Sequence, residues 1–410
     1  MKHWIVITCT CLLNAIPDAT AQDTISKGPL FIVGGGLQAD AAEIWSDFIA
    51  SAKSTGPIVI IPSASGQPVQ SAEAVRKTLL NYGVPKNRIE IAPLALRDDL
   101  STGSVDESDW ADNAQNSNVV NQLSSAAAFW FTGGDQARTT QLLLENGQDT
   151  PALSAIRTAY ANGAAIGGTS AGAAIMSERM ILQGDSLGAL IGEDSGELLE
   201  VAQGLGFLKG GLIDQHFGER ARLGRLAMAV FEIDNRVGFG VDEDTALIIN
   251  HDGMAKITGT DYVTIIDARN AKRKLMSDHH VAISDVTLQL VSAGDKIDLK
   301  TLDINPAAWK AATVGNEYIS TARSFGGGMA VAGQMLQDVI GEGLIDNADS
   351  KVIERLSFDG SDQGLIYRFT QPPEASGHWG RGSSGEGRYT IKNIEFDIRP
   401  IRMAYKEIVE

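Results

Sequence analysis

Short apolar runs and longer amphipathic stretches alternate along the first half of the sequence. Runs rich in Val, Ile, Leu and Phe that end in glycine or polar turns are typical of buried strands in a parallel sheet. They lie at residues 29–36, 57–62, 88–95, 127–132, 164–167 and 212–216. Stretches that read as helices lie between and after them, at residues 39–53, 71–82, 136–146, 152–162 and 219–231. This alternation predicts an α/β fold with a doubly wound, mostly parallel sheet flanked by helices.

The pattern changes towards the C-terminus. Residues 237–250 predict two short strands around an acidic turn, and residues 252–266 predict a β-hairpin with Asp252-Gly253 at its turn. From residue 295, Gly-rich polar segments replace the regular alternation. We therefore expect a main domain over residues 22–294 and a C-terminal α+β extension over residues 295–410. Within the extension, helices are predicted at 329–340 and 347–357, and strands at 364–370 and 388–398.

The first residues have the pattern of a secretory signal peptide over residues 1–21. A positive start precedes a short apolar stretch, and Ala19-Thr20-Ala21 forms an A-x-A cleavage site. We expect cleavage near Ala21 and a secreted mature protein, either extracellular or periplasmic. Both cysteines, Cys9 and Cys11, lie inside this segment, so the mature chain has no thiol and no disulfide. A cysteine nucleophile and a cysteine-based metal site are thereby excluded.

The net charge narrows the classes of partner. The chain has 34 Lys and Arg against 51 Asp and Glu, which gives a formal charge of −17. This excess of acids argues against nucleic-acid binding, because a phosphate backbone would be repelled. Beyond the leader, no apolar run is long enough to span a bilayer.

The strongest chemical signal is the G-x-S-x-G sequence of residues 168–172, with Ser170 at its centre. It lies between a short apolar strand and a stretch of small residues compatible with a helix. Such a strand-to-helix turn is tight enough to strain the backbone of its central residue and to expose the hydroxyl. The sequence therefore predicts that Ser170 is a nucleophile at the N-terminus of a helix, where free N–H groups face a developing oxyanion.

A serine nucleophile needs a base within hydrogen-bond reach. The mature chain has five histidines, and His216 is favoured because it ends an apolar run at the edge where Ser170 is expected. The alternative for His216 is a structural histidine at a strand end. His251, His279 and His280 lie in polar turns typical of a protein surface, and His378 lies in a Gly-rich segment.

The group that orients the base is less defined. Glu243 lies between two apolar strands, and Asp214 lies two residues from His216 on a strand. The acidic run 242–244 fits a solvated turn or a cation site equally well. The order Ser170–His216–Glu243 also differs from the order Ser, acid, His of α/β-hydrolases. That architecture would need His378 as the base.

Several other residues are candidates for binding. Arg222 and Arg225 are three apart on the predicted helix 219–231 and, with Arg220, would suit a substrate carboxylate. For any one of them, charge pairing with Glu219 on the helix surface fits the sequence at least as well. The Gly133-Gly134 turn would supply a second oxyanion N–H beside that of Ala171. The Gly-rich turn 34–36 lacks the third glycine of a dinucleotide fingerprint, so it is interpreted as a tight turn near the active edge.

Four segments together resemble cyanophycinases, which are serine peptidases of the dipeptidase E clan with a fold akin to class I glutamine amidotransferases. The segments are Phe131–Gln136, Gly167–Ala174, Asp214–Arg225 and Gly240–Ala246, and they occur in the same order. The leader and the C-terminal extension resemble the extracellular type.

The resemblance implies a role for each matched residue. Ser170 would be the nucleophile, His216 the base and Glu243 the acid that orients it. The residues lining the substrate pocket would be Gln136, Asp214, Gln215, Arg220, Arg222 and Arg225. The implied substrate is cyanophycin, a poly-aspartate with arginine on each β-carboxyl, and the implied product is the β-Asp-Arg dipeptide.

The resemblance also implies that no metal or other cofactor is needed, and it leads us to expect a homodimer. Three alternatives remain at this point. The chain would be an aspartyl or isoaspartyl dipeptidase with the same triad, an α/β-hydrolase esterase, or an inactive binding protein on the same fold.

Overall fold

The computed structural model describes residues 26–103, 105–276, 278–321, 328–329, 335–383 and 385–404. The predicted signal peptide over residues 1–21 lies outside this part of the chain. The helices of the described residues are α1 Ala42–Ser51, α2 Pro68–Asn81, α3 Ser117–Ser124, α4 Gln136–Leu143, α5 Pro151–Ala161, α6 Ala171–Ala174, α7 Ser186–Leu190 and α8 Leu223–Ala229. Short 3₁₀ helices cover Lys86–Arg88, Glu107–Gln115 and Val230–Glu232, and a π-helix covers Gln337–Ile345.

The strands are, in chain order, β1 Leu30–Val33, β2 Ile58–Ile61, β3 Ile89–Ile91, β4 Ala128–Phe131, β5 Leu144–Glu145, β6 Gln148–Asp149, β7 Ala165–Thr169, β8 Arg179–Gln183, β9 Glu200–Gln203, β10 Leu212–Gln215, β11 Val237–Val241, β12 Thr245–Ile249, β13 Met254–Gly259, β14 Tyr262–Asp267, β15 Lys272–Leu275, β16 Val281–Ser292, β17 Lys296–Asp298, β18 Ile304–Asn305, β19 Ala311–Ala312, β20 Val352–Phe358, β21 Gln363–Thr370, β22 Ser376–Arg381 and β23 Gly387–Arg402. Most of them belong to two large sheets.

The first sheet has the predicted α/β character. Its strand order is β18-β17-β13-β12-β1-β7-β4-β2-β3, and the strands from β1 to β3 in this order run parallel. Strands β12, β13, β17 and β18 extend it by antiparallel pairing. Strands β1, β2 and β4 are buried along their length, and β7 is buried except at Thr169, as their apolar runs predict.

Four of the helices, α3, α4, α5 and α7, begin at a side-chain cap. The Asp135 side chain accepts a hydrogen bond from the N–H of Ala137 at the start of α4. At the start of α5 the Thr150 hydroxyl accepts from the N–H of Leu153, and Pro151 occupies the first helical position. Both arrangements satisfy or avoid N–H groups that the helix itself leaves unpaired.

The second sheet has the strand order β10-β11-β14-β16-β23-β21-β20. Strands β10 and β11 are parallel, and the other neighbours along this order are antiparallel. Its inner face shares one apolar core with the first sheet, where Val241 and Ile265 join Ile32 and Leu247. Its outer face packs against α7, α8 and the π-helix.

Strands from both sides of residue 295 share both large sheets. Strand β23 pairs with β16, and β17 pairs with β13. The division between residues 22–294 and 295–410 therefore does not separate two independent sheets. As a division between a family domain and an extension, it stays a sequence prediction.

Two predicted elements are wrong. Residues 252–266 do not form one hairpin, because β13 pairs back onto β12 through the turn at residues 250–253, whereas β14 enters the second sheet. Residues 347–357 are not helical, because Val352–Phe358 pairs with β21 along its whole length. Its β-branched and aromatic residues suit that pairing.

A buried ion pair of Lys310 and Asp295 lies where the C-terminal extension meets the end of β16. The Lys310 ammonium donates to both carboxylate oxygens of Asp295 at 2.8 Å, to the Ser292 hydroxyl at 2.7 Å and to the Thr390 hydroxyl at 2.8 Å. Neither charged side chain is exposed to solvent. The pair connects the end of β16, the segment after it and β23.

We predict that Lys310→Met destabilises the protein by about 3–5 kcal/mol, because it removes one partner of a buried pair and leaves the Asp295 carboxylate uncompensated. The free energy of unfolding, measured with denaturant, tests this expectation. Lys296→Met serves as the control, since Lys296 is exposed on β17. A loss of about 1 kcal/mol or less for Lys310→Met, the size expected of an exposed pair, would contradict the prediction.

Candidate active site

Ser170 lies at the tip of a tight turn between β7 and α6. Its backbone has φ 55° and ψ −117°, a conformation that costs a residue with a Cβ about 1–3 kcal/mol. The turn is closed by glycines, since a Cβ at Gly168 would lie 2.3 Å from the carbonyl oxygen of Gly172. The Ser170 N–H donates to the carbonyl oxygen of Val33 at 3.0 Å, which holds the turn against β1.

His216 lies directly after β10 and contacts Ser170. Its Nε2 atom is 2.9 Å from the Ser170 Oγ atom. The His216 backbone N–H donates to the carbonyl oxygen of Gly34 at 2.6 Å. The imidazole is therefore held where the ends of β10 and β1 meet. His378, the base that an α/β-hydrolase would need, lies in β22, and the imidazole beside Ser170 is that of His216.

Glu243 lies in the turn between β11 and β12 and contacts the other side of the same imidazole. Its Oε1 atom hydrogen-bonds to His216 Nδ1. The structure thus brings Ser170, His216 and Glu243 into one chain of contacts. Asp214, the alternative orienting acid, is buried and bonded to arginines instead.

The surroundings of His216 determine whether its imidazole is neutral or protonated. Burial lowers the pKa of His216 below its ordinary value of 6.5. The hydrogen bond to Glu243 raises this pKa, whereas the nearby guanidinium groups of Arg220 and Arg222 lower it. The net direction keeps the imidazole neutral, which is the form that can accept a proton from a serine hydroxyl.

The glycine turn after β1 makes room for the histidine and the glutamate. A Cβ at Gly35 would lie 2.2 Å from the Cε1 atom of the His216 ring, and a Cβ at Gly36 would lie 2.5 Å from the Glu243 Oε2 atom. The sequence indicated only a tight turn near the active edge. The signal was present as consecutive glycines at a strand end, but the partners that pack on them come from distant parts of the chain.

The residues predicted to hold an oxyanion, Gly133, Gly134 and Ala171, lie beside Ser170. A Cβ placed on Gly133 would be 3.3 Å from the Ser170 Cβ, and Gly134 lines the adjacent cavity. Ala171 is buried and opens α6, so its N–H is among the helix donors without an intrahelical acceptor. The oxyanion role of these residues stays a prediction.

A cavity of about 430 Å³ opens beside Ser170. The lining residues are Gly134, Asp135, Gln136, Ser170, Leu182, Gln215, Arg220, Arg222 and Arg225. Gln136 is buried, and its amide donates to the carbonyl oxygens of Ile181 at 2.7 Å and Leu182 at 2.9 Å. The Gln215 Oε1 atom is 3.5 Å from Ser170 Oγ.

The three arginines differ in what they contact. Arg225 is 5% exposed and is bound by Asp214 through Nε at 3.0 Å and through Nη2, while its Nη1 donates to the Gly184 carbonyl oxygen at 2.8 Å. Arg222 donates to the Gln215 carbonyl oxygen and lies 3.5 Å from Asp214. Arg220 is exposed and has no ion-pair partner among the residues that the structure describes. It is therefore the arginine best placed to bind an anionic group.

The predicted helix over residues 219–231 is shorter than expected. Helix α8 begins at Leu223, so Arg220 lies in the preceding turn and Arg222 is the residue before the first turn. Ala221 has a φ value of 53°, which a helix excludes. Only Arg225 projects from the helix, and the three arginines approach the cavity from a turn as well as from a helix.

An acidic loop over residues 193–200 contacts the C-terminal extension. The Ser195 hydroxyl donates to Asp359, in the turn between β20 and β21, at 2.6 Å. Glu197 in the same loop accepts from the Gly184 N–H at 3.1 Å. The extension therefore helps to hold a loop that lies close to Arg222 and Arg225.

Comparisons with known proteins identify the family of this chain. The profile of peptidase family S51 matches residues 30–257. A cyanophycinase of Synechococcus elongatus is 30% identical over 296 residues, which covers 70% of this chain and 84% of that protein. A cyanophycinase of Nostoc sp. is 30% identical over 308 residues, which covers 72% and 95%. The crystal structure of a peptidase from an acI-B1 actinobacterium covers 67% of this chain and 98% of that one, at 19% identity and a TM-score of 0.47.

Among the described residues, no helix combines the length and apolarity needed to cross a bilayer.

We predict that Gly35→Ala lowers the reactivity of Ser170 by about 100-fold, because the new methyl group would displace the His216 ring from its hydrogen bond. The rate of labelling by a fluorophosphonate, a serine-directed probe, measures this reactivity. Gly83→Ala is the matched control, since Gly83 also has a positive φ, of 84°, but nothing lies within 4 Å of its added Cβ. Equal labelling rates for the two variants would contradict the prediction.

We predict that labelling of Ser170 falls only below pH 6.5, because burial lowers the pKa of His216 below that ordinary value. The imidazole accepts the serine proton only when neutral, so the rate declines as pH falls through the lowered pKa. Labelling rates across this range, with circular dichroism to verify the fold, measure the midpoint. A midpoint above 6.5 would show that Glu243 outweighs burial.

Proposed function

Because this chain belongs to peptidase family S51 and is a serine-type peptidase, we propose that it is a secreted exopeptidase that hydrolyses cyanophycin to β-Asp-Arg dipeptides. The single observation that carries the proposal is the contact chain from Ser170 through His216 to Glu243 beside an arginine-lined cavity. The cyanophycinases of Synechococcus elongatus and Nostoc sp., at 30% identity, support the substrate class.

In the proposed reaction Ser170 attacks the backbone carbonyl carbon between two aspartyl units. His216 Nε2 accepts the hydroxyl proton, and the hydrogen bond from Nδ1 to Glu243 stabilises the imidazolium that forms. The N–H groups of Ala171 and of the Gly133-Gly134 turn hold the oxyanion. His216 then protonates the leaving amine, and a water molecule hydrolyses the acyl-enzyme by the same proton transfers in reverse.

The cavity is proposed to bind the terminal dipeptide unit. Arg220 is exposed and lines the cavity, so its guanidinium is proposed to pair with the free α-carboxylate of the substrate. The cavity wall next to Arg220 contains Arg222 and Arg225, both bonded to Asp214. Two amide side chains, Gln136 and Gln215, also line the cavity that holds Ser170. An acid of the 193–200 loop is proposed to hold the substrate guanidinium. Glu197 is the nearest candidate, because its charge acts on Arg222.

Secretion is part of the proposal because the sequence of residues 1–21 has the pattern of a cleaved leader. Cyanophycin outside the producing cell would then be the polymer that the enzyme meets. A homodimer is likewise retained as a proposal from the family resemblance.

We predict that the mature protein, from about Gln22 onward, clears a turbid cyanophycin suspension and releases β-Asp-Arg, whereas Ser170→Ala loses at least about 1,000-fold of this activity. Turbidity measures the clearing of the suspension, and mass spectrometry identifies the released fragments. Ser154→Ala, which removes an exposed hydroxyl from α5, is the matched control and should clear at the parent rate.

The other outcomes separate the alternatives. Turnover of soluble Asp-X dipeptides without clearing of the polymer would indicate an aspartyl or isoaspartyl dipeptidase. Clearing by Ser170→Ala at the parent rate would show that Ser170 is not the nucleophile.

A further inference from the structure

The backbone of Glu243 is held on both sides by side chains. Its N–H donates to the Oε1 atom of Glu219 at 3.1 Å, and its carbonyl oxygen accepts from the Thr245 hydroxyl at 3.0 Å. The next residue, Asp244, donates its N–H to the Gly35 carbonyl oxygen at 2.9 Å. The short turn between β11 and β12 is thus fixed at three consecutive points.

The side chain of Glu243 packs on Gly36 but is partly open to solvent. Its side chain is 39% exposed, whereas the His216 side chain that it contacts is 9% exposed. A partly exposed glutamate has several rotamers within reach, so the position of its backbone decides whether Oε1 meets His216 Nδ1. The contact from Glu219 acts on that backbone position.

Glu219 lies three residues after His216 in the same turn, so it spans the two segments that carry the base and the acid. Its Oε2 atom is enclosed by protein and has no hydrogen-bond partner among the described residues. Burial raises the pKa of Glu219, and the charges of Glu243 and Asp261 raise it further. A neutral carboxyl can accept the Glu243 N–H without adding a second negative charge beside the Glu243 carboxylate.

Asp242 completes this arrangement. It is buried, and it accepts the N–H of Gly218 at 2.8 Å. Burial and the neighbouring Glu219 raise the pKa of Asp242 well above its ordinary value. Two carboxyls, Glu219 and Asp242, therefore cross-link the turn after His216 to the turn that carries Glu243, and each does so through a backbone N–H.

We propose that Glu219 is a positioning residue: by accepting the backbone N–H of Glu243 it places the Glu243 carboxylate on His216 and so sets the reactivity of Ser170. This inference rests on the proposed function, because it assumes that these three residues act as a nucleophile, base and acid. Glu219 does not line the substrate cavity, so it acts on Ser170 through other residues and not by contact with the substrate.

Two substitutions separate the hydrogen bond from the charge. Glu219→Gln keeps the size of the side chain and an amide oxygen that can accept the Glu243 N–H. Glu219→Met keeps the volume but has no comparable acceptor. If Glu219→Met does not fold, Glu219→Asp is used in its place. The shorter side chain moves the carboxylate away from the Glu243 N–H by one methylene.

The control is Glu107→Met. Glu107 is buried and accepts the N–H of Asp99 at 2.9 Å, in a segment that does not line the cavity. The Glu107→Met substitution removes the same kind of hydrogen bond, from a backbone N–H to a carboxylate, at a position away from the site. All variants are measured below their unfolding temperatures, with fluorophosphonate labelling of Ser170 followed against probe concentration and pH.

For Glu219→Met we expect the maximal labelling rate to fall at least tenfold, with the half-saturating probe concentration unchanged within twofold. The acid midpoint should move to lower pH, because the Glu243 contact that raises the pKa of His216 is weakened, while Arg220 and Arg222 continue to lower it. Glu219→Gln and Glu107→Met should stay within twofold of the parent in rate and midpoint. In a Glu243→Gln background, Glu219→Met should have little further effect, because coupled residues are not additive.

Labelling of folded Glu219→Met at the parent rate would overturn the inference and leave the proposed function standing. Equal losses in Glu219→Met and Glu107→Met with an unchanged acid midpoint would also overturn it, because the effect would then be general loosening. A parent protein whose Ser170 does not react would overturn the inference together with the proposed function. The probe needs no cyanophycin, so failure to clear the polymer alone leaves these comparisons valid.

Discussion

The hydrogen bond from the His216 N–H to the Gly34 carbonyl oxygen joins the two sheets at the point where the candidate site lies. β10 belongs to the second sheet and β1 to the first, and neither sheet by itself contains Ser170, His216 and Glu243 together. The glycines that follow β1 allow the histidine ring to lie against the backbone. The geometry of the site therefore depends on how closely two sheets approach, and the shared apolar core beneath them maintains that distance.

Positive and negative side chains occupy different places around the site. Arginines line the cavity, and the carboxylate of Asp214 beneath them balances the two innermost ones. The acids next to Glu243 are enclosed in protein, where burial favours their neutral form. The cavity is therefore positive in a chain of strongly negative net charge, and the acids behind it act more as hydrogen-bond acceptors than as charges. The imidazole between these groups is buried and close to two guanidiniums, so its neutral state is favoured.

Local sequence patterns predicted the first sheet and the turn at Ser170 well, because each parallel strand is a continuous apolar run and the glycines mark its end. The pairing of β13 and β14 with different sheets was not predictable, since a two-residue connection gives no sign that the chain changes sheet. The late start of α8 is explained by the positive φ of Ala221, a conformation that the sequence does not predict for an alanine. The role of the acidic run 242–244 was also ambiguous in the sequence, because the residues that contact it come from elsewhere in the chain. They are Gly36, Glu219 and Gly218.

The position of β23 in the middle of the second sheet has a consequence for how the protein is made. A ribosome releases β16 about 100 residues before β23, which at typical synthesis rates of roughly 5–20 residues per second is a delay of roughly 5–20 s. During that delay β16 presents an unpaired edge, the kind of surface that attracts other unfinished chains. The segment with Ser170, His216 and Glu243 is by then complete, yet the sheet that carries β10 and β11 lacks its remaining strands. Nascent chains of this protein therefore pass through a stage at which the residues of the candidate site exist but the strands that support them do not, and that stage is the one a chaperone would need to protect.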